Sequence, residues 1–258
     1  MRRDDAAVLS ISAALGTIVV AAIALSVFVI DRLPPPGKAK PEDSNSSLLV
    51  LTWAPTFCKF DQANPGCESG HIDKMGQTMM LHGLWPQPAS EQFCGVPESV
   101  VRRVEDSDGG GLAAPDLPQG AQSQLQSMMS DSATAVPYEW YRHGTCSGVS
   151  PAEYFSHAVT LAEQAVKVLD PVFERASGGR LSLGAVRGRL NAEFGSGAGK
   201  RARLICVEVD REGIIAYQVQ LSLPPVLNLE PAESPLSLGD ALVKGPPLST
   251  KCRAGHVP

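Results

Sequence analysis

Two short segments concentrate side chains able to move protons or hold an anion. The denser is PYEWYRHGTCSG (residues 137–148), where Glu139, Arg142, His143 and Cys146 stand among Tyr138, Trp140 and Tyr141. Taken as a helix, it sets Glu139 and His143 one turn apart and Arg142 three residues from Glu139, so all three project to one side. A carboxylate beside an imidazole favours the charged ring and fixes its orientation. A guanidinium next to both offers a planar fork to phosphate oxygens. Together they suit phosphoryl chemistry, although a surface helix could hold the same residues as a plain ion pair. The second segment is LHGLWPQ (81–87), where His82 closes an apolar run just before Gly83, Trp85 and Pro86. A lone histidine there is often a core residue satisfied by a carbonyl. Two histidines on separate elements are what metal-free acid–base catalysis requires, one taking a proton while the other gives one.

The elements that must position these residues are legible in outline. SLLVLTW (47–53) and QTMMLHGLW (77–85) read as apolar strands, the second carrying His82. PESVVRRVED (97–106) and SQLQSMMSDSA (123–133) read as short helices, with a loop over 107–120 between them. SPAEYFSHAVTLAEQAVKVLD (150–170) is the clearest helix: Ser150 can cap it, Pro151 fits its first turn and Glu153 completes a capping box. RARLICVEVDREGIIAYQVQL (201–221) reads as a hairpin around DREG. Helices and strands alternate without a regular βαβ rhythm, which favours an α+β fold. No internal repeat is present.

Charge and cysteines bound the function. The net charge of −5 leaves no basic footprint of a high-affinity nucleic-acid binder, which would make many phosphate contacts. Residues 6–30 are uncharged and apolar, long enough to cross the ~30 Å hydrocarbon core of a bilayer and longer than a usual signal-peptide core of ~7–15 residues. They are expected to be a membrane anchor or uncleaved signal, after a short cytoplasmic N-terminus (1–5); a cleaved signal peptide is the alternative. Residues 31–47, rich in Pro, Ser and charge, read as a tether. All six cysteines (Cys58, Cys67, Cys94, Cys146, Cys206, Cys252) follow the apolar run. An even number there suggests three disulfides and a body outside the cytoplasm, periplasmic or secreted. Cys94 bonded to Cys146 could tie the loop after His82 to the segment carrying His143. Cys67-x3-His71 and His143-x2-Cys146 could imitate a zinc site, making a zinc-stabilised module one rival reading.

LHGLWPQ together with YEWYRHGTC, in that order and about 55 residues apart, resembles the two signature segments of the ribonuclease T2 family. LVLTWAPTFC, SPAEYF and LICVEVD with the late Cys252 are similar to further parts of that family, so the resemblance spans roughly residues 48–258. It implies a single disulfide-bonded α+β domain with a central, mainly antiparallel sheet and surrounding helices. It also implies endonucleolytic transesterification of single-stranded RNA through a 2′,3′-cyclic phosphate, with no metal or other cofactor. On this resemblance His143 is the general base, His82 the general acid, and Glu139 and Arg142 stabilise the phosphorane. Trp85 would stack on a base, and Tyr138 would meet the substrate's phosphate. The family usually has histidine at the position of Tyr138 and lysine at that of Arg142. The resemblance also places bridges at Cys94–Cys146 and Cys206–Cys252, which leaves Cys58–Cys67 as a local staple. A monomer is expected. A catalytically weakened RNA-binding member of the same fold is a further rival, motivated by Tyr138.

Overall fold

A computed structural model describes residues 40–107, 110–229 and 235–258. The expected cytoplasmic N-terminus and membrane span (1–5 and 6–30) lie outside the described residues, as does most of the tether. Among the described residues no helix is long and apolar enough to cross a membrane.

The apolar run after the tether forms strand β1 (Ser46–Trp53), whose eight residues are all buried. It pairs antiparallel with β2 (Met79–Gln87) on one edge and with β5 (Gly213–Leu223) on the other. β4 (Ala202–Val209) forms the expected hairpin with β5, turning at Arg211 and Gly213, both at positive φ. Two short strands, β3 (Gly179–Ser182) and β6 (Ala254–Val257), pair with each other, and β6 joins β5 in parallel at Ile215. The sheet is therefore mainly antiparallel, in the order β2-β1-β5-β6-β3, with β4 on the other edge of β5. β3 and β6 have no counterpart in the sequence reading; four residues are too few to show a period of two.

Helices cover the sheet. Four-residue helices α1 (Ala54–Phe57) and α2 (Pro65–Glu68) and the five-residue α3 (His71–Met75) fill the β1–β2 connection. α4 (Glu98–Ser107) and α5 (Gln119–Met128) precede α6 (Ser132–Arg142). The sequence reading ran α5 and the start of α6 together. They part because Asp131 takes an extended conformation and caps α6, its carboxylate accepting from the Thr134 amide. α7 (Pro151–Ala176) has the expected capping box but continues through Pro171, beyond the expected end. Its inner face (Tyr154, Phe155, Leu161, Ala165, Leu169, Phe173) is buried against Leu49, Leu51, Trp53, Leu81 and Leu84 of the sheet. α8 (Leu183–Phe194) and α9 (Leu238–Lys244) complete this core.

Three disulfides join Cys58–Cys67, Cys94–Cys146 and Cys206–Cys252. Cys67 and Cys146 therefore have no thiolate to offer a metal, which removes the zinc-module reading. His71 instead lies 3.2 Å from the Met129 carbonyl oxygen.

Candidate active site

His82 owes its position to an irregularity in β2. Leu81 pairs with Leu51 and Gly83 with Val50, so His82 is an extra residue, a β-bulge. Leu81 and Leu84 both reach the core cluster, three residues apart rather than two. His82 and Gly83 are left on the opposite face, where about a third of the His82 side chain is exposed. Tyr154 of α7 pins this part of the strand by donating its hydroxyl to the Leu84 carbonyl at 2.7 Å.

α6 brings the other half. It ends at Arg142, and His143 leaves helical geometry with φ −120° and ψ −49°. The chain then passes under Trp140, where a Cβ on Gly144 would come within 2.3 Å of the indole, so this residue must be glycine. Cys146, fully buried, ties this turn to Cys94, and the Phe93 amide donates to the Arg142 carbonyl at 3.0 Å.

Because His143 turns off the helix, Glu139 does not meet it as the i, i+4 arithmetic expects. Glu139 is buried against β2, where its Oε2 accepts from Trp85 Nε1 at 2.8 Å and its Oε1 lies 3.9 Å from His82 Nε2. Gly83 makes this possible: a Cβ there would stand 2.0 Å from Glu139 Oε2 and 2.6 Å from Trp85 Nε1. Trp85 lies between the histidines, stacked on His143 (centroids 5.1 Å, 23°) and edge-on to His82 (5.4 Å, 85°). One ring face and the N–H of Trp85 are thus engaged, and stacking on a base would have to use the other face. Arg142 donates to the Tyr138 hydroxyl at 2.7 Å, with its guanidinium 5.4 Å from the Tyr138 ring and 5.7 Å from Phe93. His256 lies outside the site, its Nδ1 2.7 Å from the Gly179 carbonyl oxygen, and His157 sits on α7.

Burial sets the protonation of the centre. It pushes Glu139 up to about 8, against the opposing pull of the Trp85 hydrogen bond and Arg142. It holds His82 down to about 4. His143 is depressed well below the usual imidazole range, by burial first and then by Arg142 and His82. Its Nδ1 is buried without a hydrogen-bond partner among the described residues. At neutral pH both rings and the carboxyl are therefore largely uncharged, while the Arg142 guanidinium is a fixed cation. Neutral rings beside a neutral carboxyl can give and take protons at a bound substrate.

A cleft of about 490 Å3 opens beside His82 and Glu139, lined also by Tyr138, Thr134, Asp61 and Asn64. A model of the Ribonuclease T2 family matches residues 45–207, which hold both histidines, Trp85, Glu139 and Arg142. The chain belongs to the ribonuclease T2 family. It is 28% identical over 156 residues to a "Ribonuclease" of Aeromonas hydrophila, covering 59% of this chain and 58% of that one. It is 29% identical over 118 residues to a "Probable ribonuclease" of Haemophilus influenzae, covering 42% and 39%. The chain thus spans between about two fifths and three fifths of the length of these curated relatives. Among solved structures, the self-incompatibility-associated SF11-RNase of Nicotiana alata matches at 16% identity with a TM-score of 0.53, covering 81% of this chain and 93% of that one. A variant of ribonuclease MC1, a bitter gourd seed enzyme, in complex with 5′-GMP matches at 22% identity with a TM-score of 0.50, covering 72% and 91%. These likenesses are of fold, and they agree with the α+β architecture.

Neither Gly83 nor the roles of Trp85 as spacer and partner of Glu139 are apparent in the sequence reading. The one available signal was the His-Gly-x-Trp spacing itself, which puts a side-chain-free residue between the ring and the indole.

Proposed function

We propose that the protein is an endoribonuclease that cleaves single-stranded RNA by transesterification. The observation that carries this reading is the pair of histidines held apart by Trp85, one buried and one partly open to the cleft, with Glu139 beside the latter. His143 takes the proton of the 2′-hydroxyl as its oxygen attacks phosphorus. The P–O5′ bond breaks, and His82 gives a proton to the departing 5′-oxygen. The products are a 2′,3′-cyclic phosphate and a free 5′-hydroxyl; the two histidines supply all the proton transfer, so the step needs no metal. Arg142 and Glu139 face the charge that builds on the phosphorane, in a partly dry site where fixed groups act strongly. His82 must be protonated to act, and burial opposes that, so the reading favours activity in acid; a bound phosphodiester anion raises the ring's affinity for the proton. The acid-side cleft beside His82 would hold the nucleotide on that side, with Tyr138 and Arg142 near its phosphate.

Residues 6–30 support a second part of the proposal, that the domain is tethered to a membrane and works outside the cytoplasm. Three disulfides fit an oxidising compartment. The test is incubation of the purified full-length protein with homopolymer RNA in chelator, followed by end-group analysis. Cyclic phosphate ends, lost in His143→Ala, are the expected result; RNA bound but uncut at every pH from 4 to 8 would instead identify a catalytically weakened binder.

A further inference from the structure

Four side chains, of which only Thr52 also lines the cleft, form a chain ending on His82. The sheet register aligns them: Thr52 of β1 lies opposite Gln218 of β5, and Gln220 lies opposite Arg203 of β4. Residues two apart on a strand share a face, so Gln218 and Gln220 stand side by side. Arg203 Nε donates to Gln220 Oε1 at 2.5 Å, Gln220 Nε2 to Gln218 Oε1 at 2.7 Å, and Gln218 Nε2 to Thr52 Oγ1 at 3.3 Å. Thr52 Oγ1 in turn lies 3.5 Å from His82 Nδ1, the longest link. Thr52, Gln218 and Gln220 are buried and Arg203 is half-buried.

The chemistry of the end residue gives this chain one direction. A guanidinium only donates. The atom of Gln220 that faces it must be the amide oxygen, so the Gln220 NH2 faces Gln218. Gln218 must answer with its own oxygen, which turns its NH2 toward Thr52. The Thr52 oxygen accepts that bond and has its hydroxyl proton left for His82 Nδ1.

We propose that Arg203 acts as a positioning residue at a distance, fixing through Gln220, Gln218 and Thr52 the tautomer of His82, with the neutral ring protonated at Nε2 and accepting at Nδ1. Nε2 is the nitrogen on the Glu139 side. The ring then shows the cleft an N–H and no lone pair. Resting on the ribonuclease reading, this keeps His82 from taking the 2′-hydroxyl proton and leaves the base role to His143; His82 gives its own proton only once acid has charged the ring. The chain also disfavours a proton on Nδ1 and thereby the imidazolium. The other titratable groups facing this ring or its cleft are Tyr138 and Glu139 of α6, His143 just after it, and Asp61 from the α1–α2 loop.

The test is spectroscopic and needs no turnover, so it stands apart from the assay for ribonuclease activity. The full-length protein has five histidines, and 15N-histidine labelling with His82→Gln assigns the ring. At pH 7 wild type should show a pyrrole-type Nε2 and a pyridine-type Nδ1. Gln220→Glu puts an acceptor where Gln218 expects a donor; Gln218 must turn over, and the pattern at His82 should reverse. Arg203→Met should give a mixture of tautomers, whereas Arg203→Lys, another pure donor, should restore the wild-type pattern. Thr52→Val removes the last link with little change of shape. It should raise the pH at which His82 titrates by about half to one pH unit, the ordinary worth of one hydrogen bond, and it keeps the test decisive if the changes at 220 or 203 unfold the protein. A wild-type ring protonated at Nδ1 would overturn the proposal. So would an unchanged spectrum in folded Gln220→Glu, or an unmoved His82 titration in Thr52→Val.

Discussion

Gly83→Ala tests the architecture of the centre with a single methyl group. The added Cβ would stand 2.0 Å from Glu139 Oε2 and 2.6 Å from Trp85 Nε1. Ordinary contact begins near 3.5 Å, so the carboxylate must retreat by roughly 1.5 Å, more than its 2.8 Å bond to Trp85 can absorb. Glu139 is on a packed helix and Trp85 is stacked on His143, so the displacement passes to both histidines. A misplacement of about 1 Å can cost ~10²-fold in rate, whereas overpacking of this kind costs ~1–3 kcal/mol in stability. For a domain of this size the latter is a fall in Tm of roughly 2–12 °C. Steady-state cleavage of a dinucleotide, measured beside thermal unfolding of the same samples, should therefore show kcat/KM down about 100-fold in a protein still folded at 25 °C. Retention of activity within about threefold would refute the reasoning, because it would mean that the Trp85–Glu139 contact does not set the positions of the rings.

Three further outcomes are expected. His82→Ala and His143→Ala should each lower kcat by ~10²–10⁴-fold, and the double variant should lose less than the product of the two, since both act in one displacement; pre-equilibrated single-turnover assays measure this. Thermal stability should decline as pH rises from 6.5 to 8: buried Glu139, raised to about 8, keeps a proton that the unfolded chain has lost. The depressed histidines oppose this slope near pH 6.5, where the unfolded rings are still half protonated, and cease to contribute as the pH approaches 8. Unfolding midpoints should lose this slope in Glu139→Gln, and an unchanged slope there would exclude Glu139 as its source. Tyr138→Phe removes the hydroxyl that accepts from Arg142 and should raise KM by no more than about tenfold, as for one hydrogen bond of ~0.5–1.5 kcal/mol. Loss of turnover as complete as in His143→Ala would make Tyr138 a catalytic residue instead.

Residues that carry their own local instructions were legible in the sequence. Ser150, Pro151 and Glu153 announce the start of α7, and the apolar run over β1 announces a buried strand. The end of α7 was not legible, because Pro171 reads as a terminator while the apolar face of the helix continues to Phe173. The partner of Glu139 was misjudged for a related reason. Helical arithmetic assigns it His143, but the helix stops one residue short and the carboxylate turns to Trp85 and His82. The bulge at His82 depends on how β2 registers against β1, which no window of β2 alone contains. Gln218, Gln220 and Arg203 are ordinary polar residues in a hairpin until three strands are aligned. The site's chemistry was thus written in residue types, and its geometry in long-range pairing.

The β1–β2 connection has a consequence for how this protein can change. Residues 54–75 close on themselves through Cys58–Cys67 and gather Ala54, Phe57, Ile72 and Met80 into a small cluster separate from the main core. They supply one wall of the cleft, including Asp61 and Asn64, while His82 stands on β2 and His143 just past the end of α6. This wall, with its own staple, rests on β2 through Met80, two residues from His82. On the proposed function, changes at Asp61 and Asn64 would alter which nucleotide the cleft holds, whereas changes at Met80 would reach the chemistry as well.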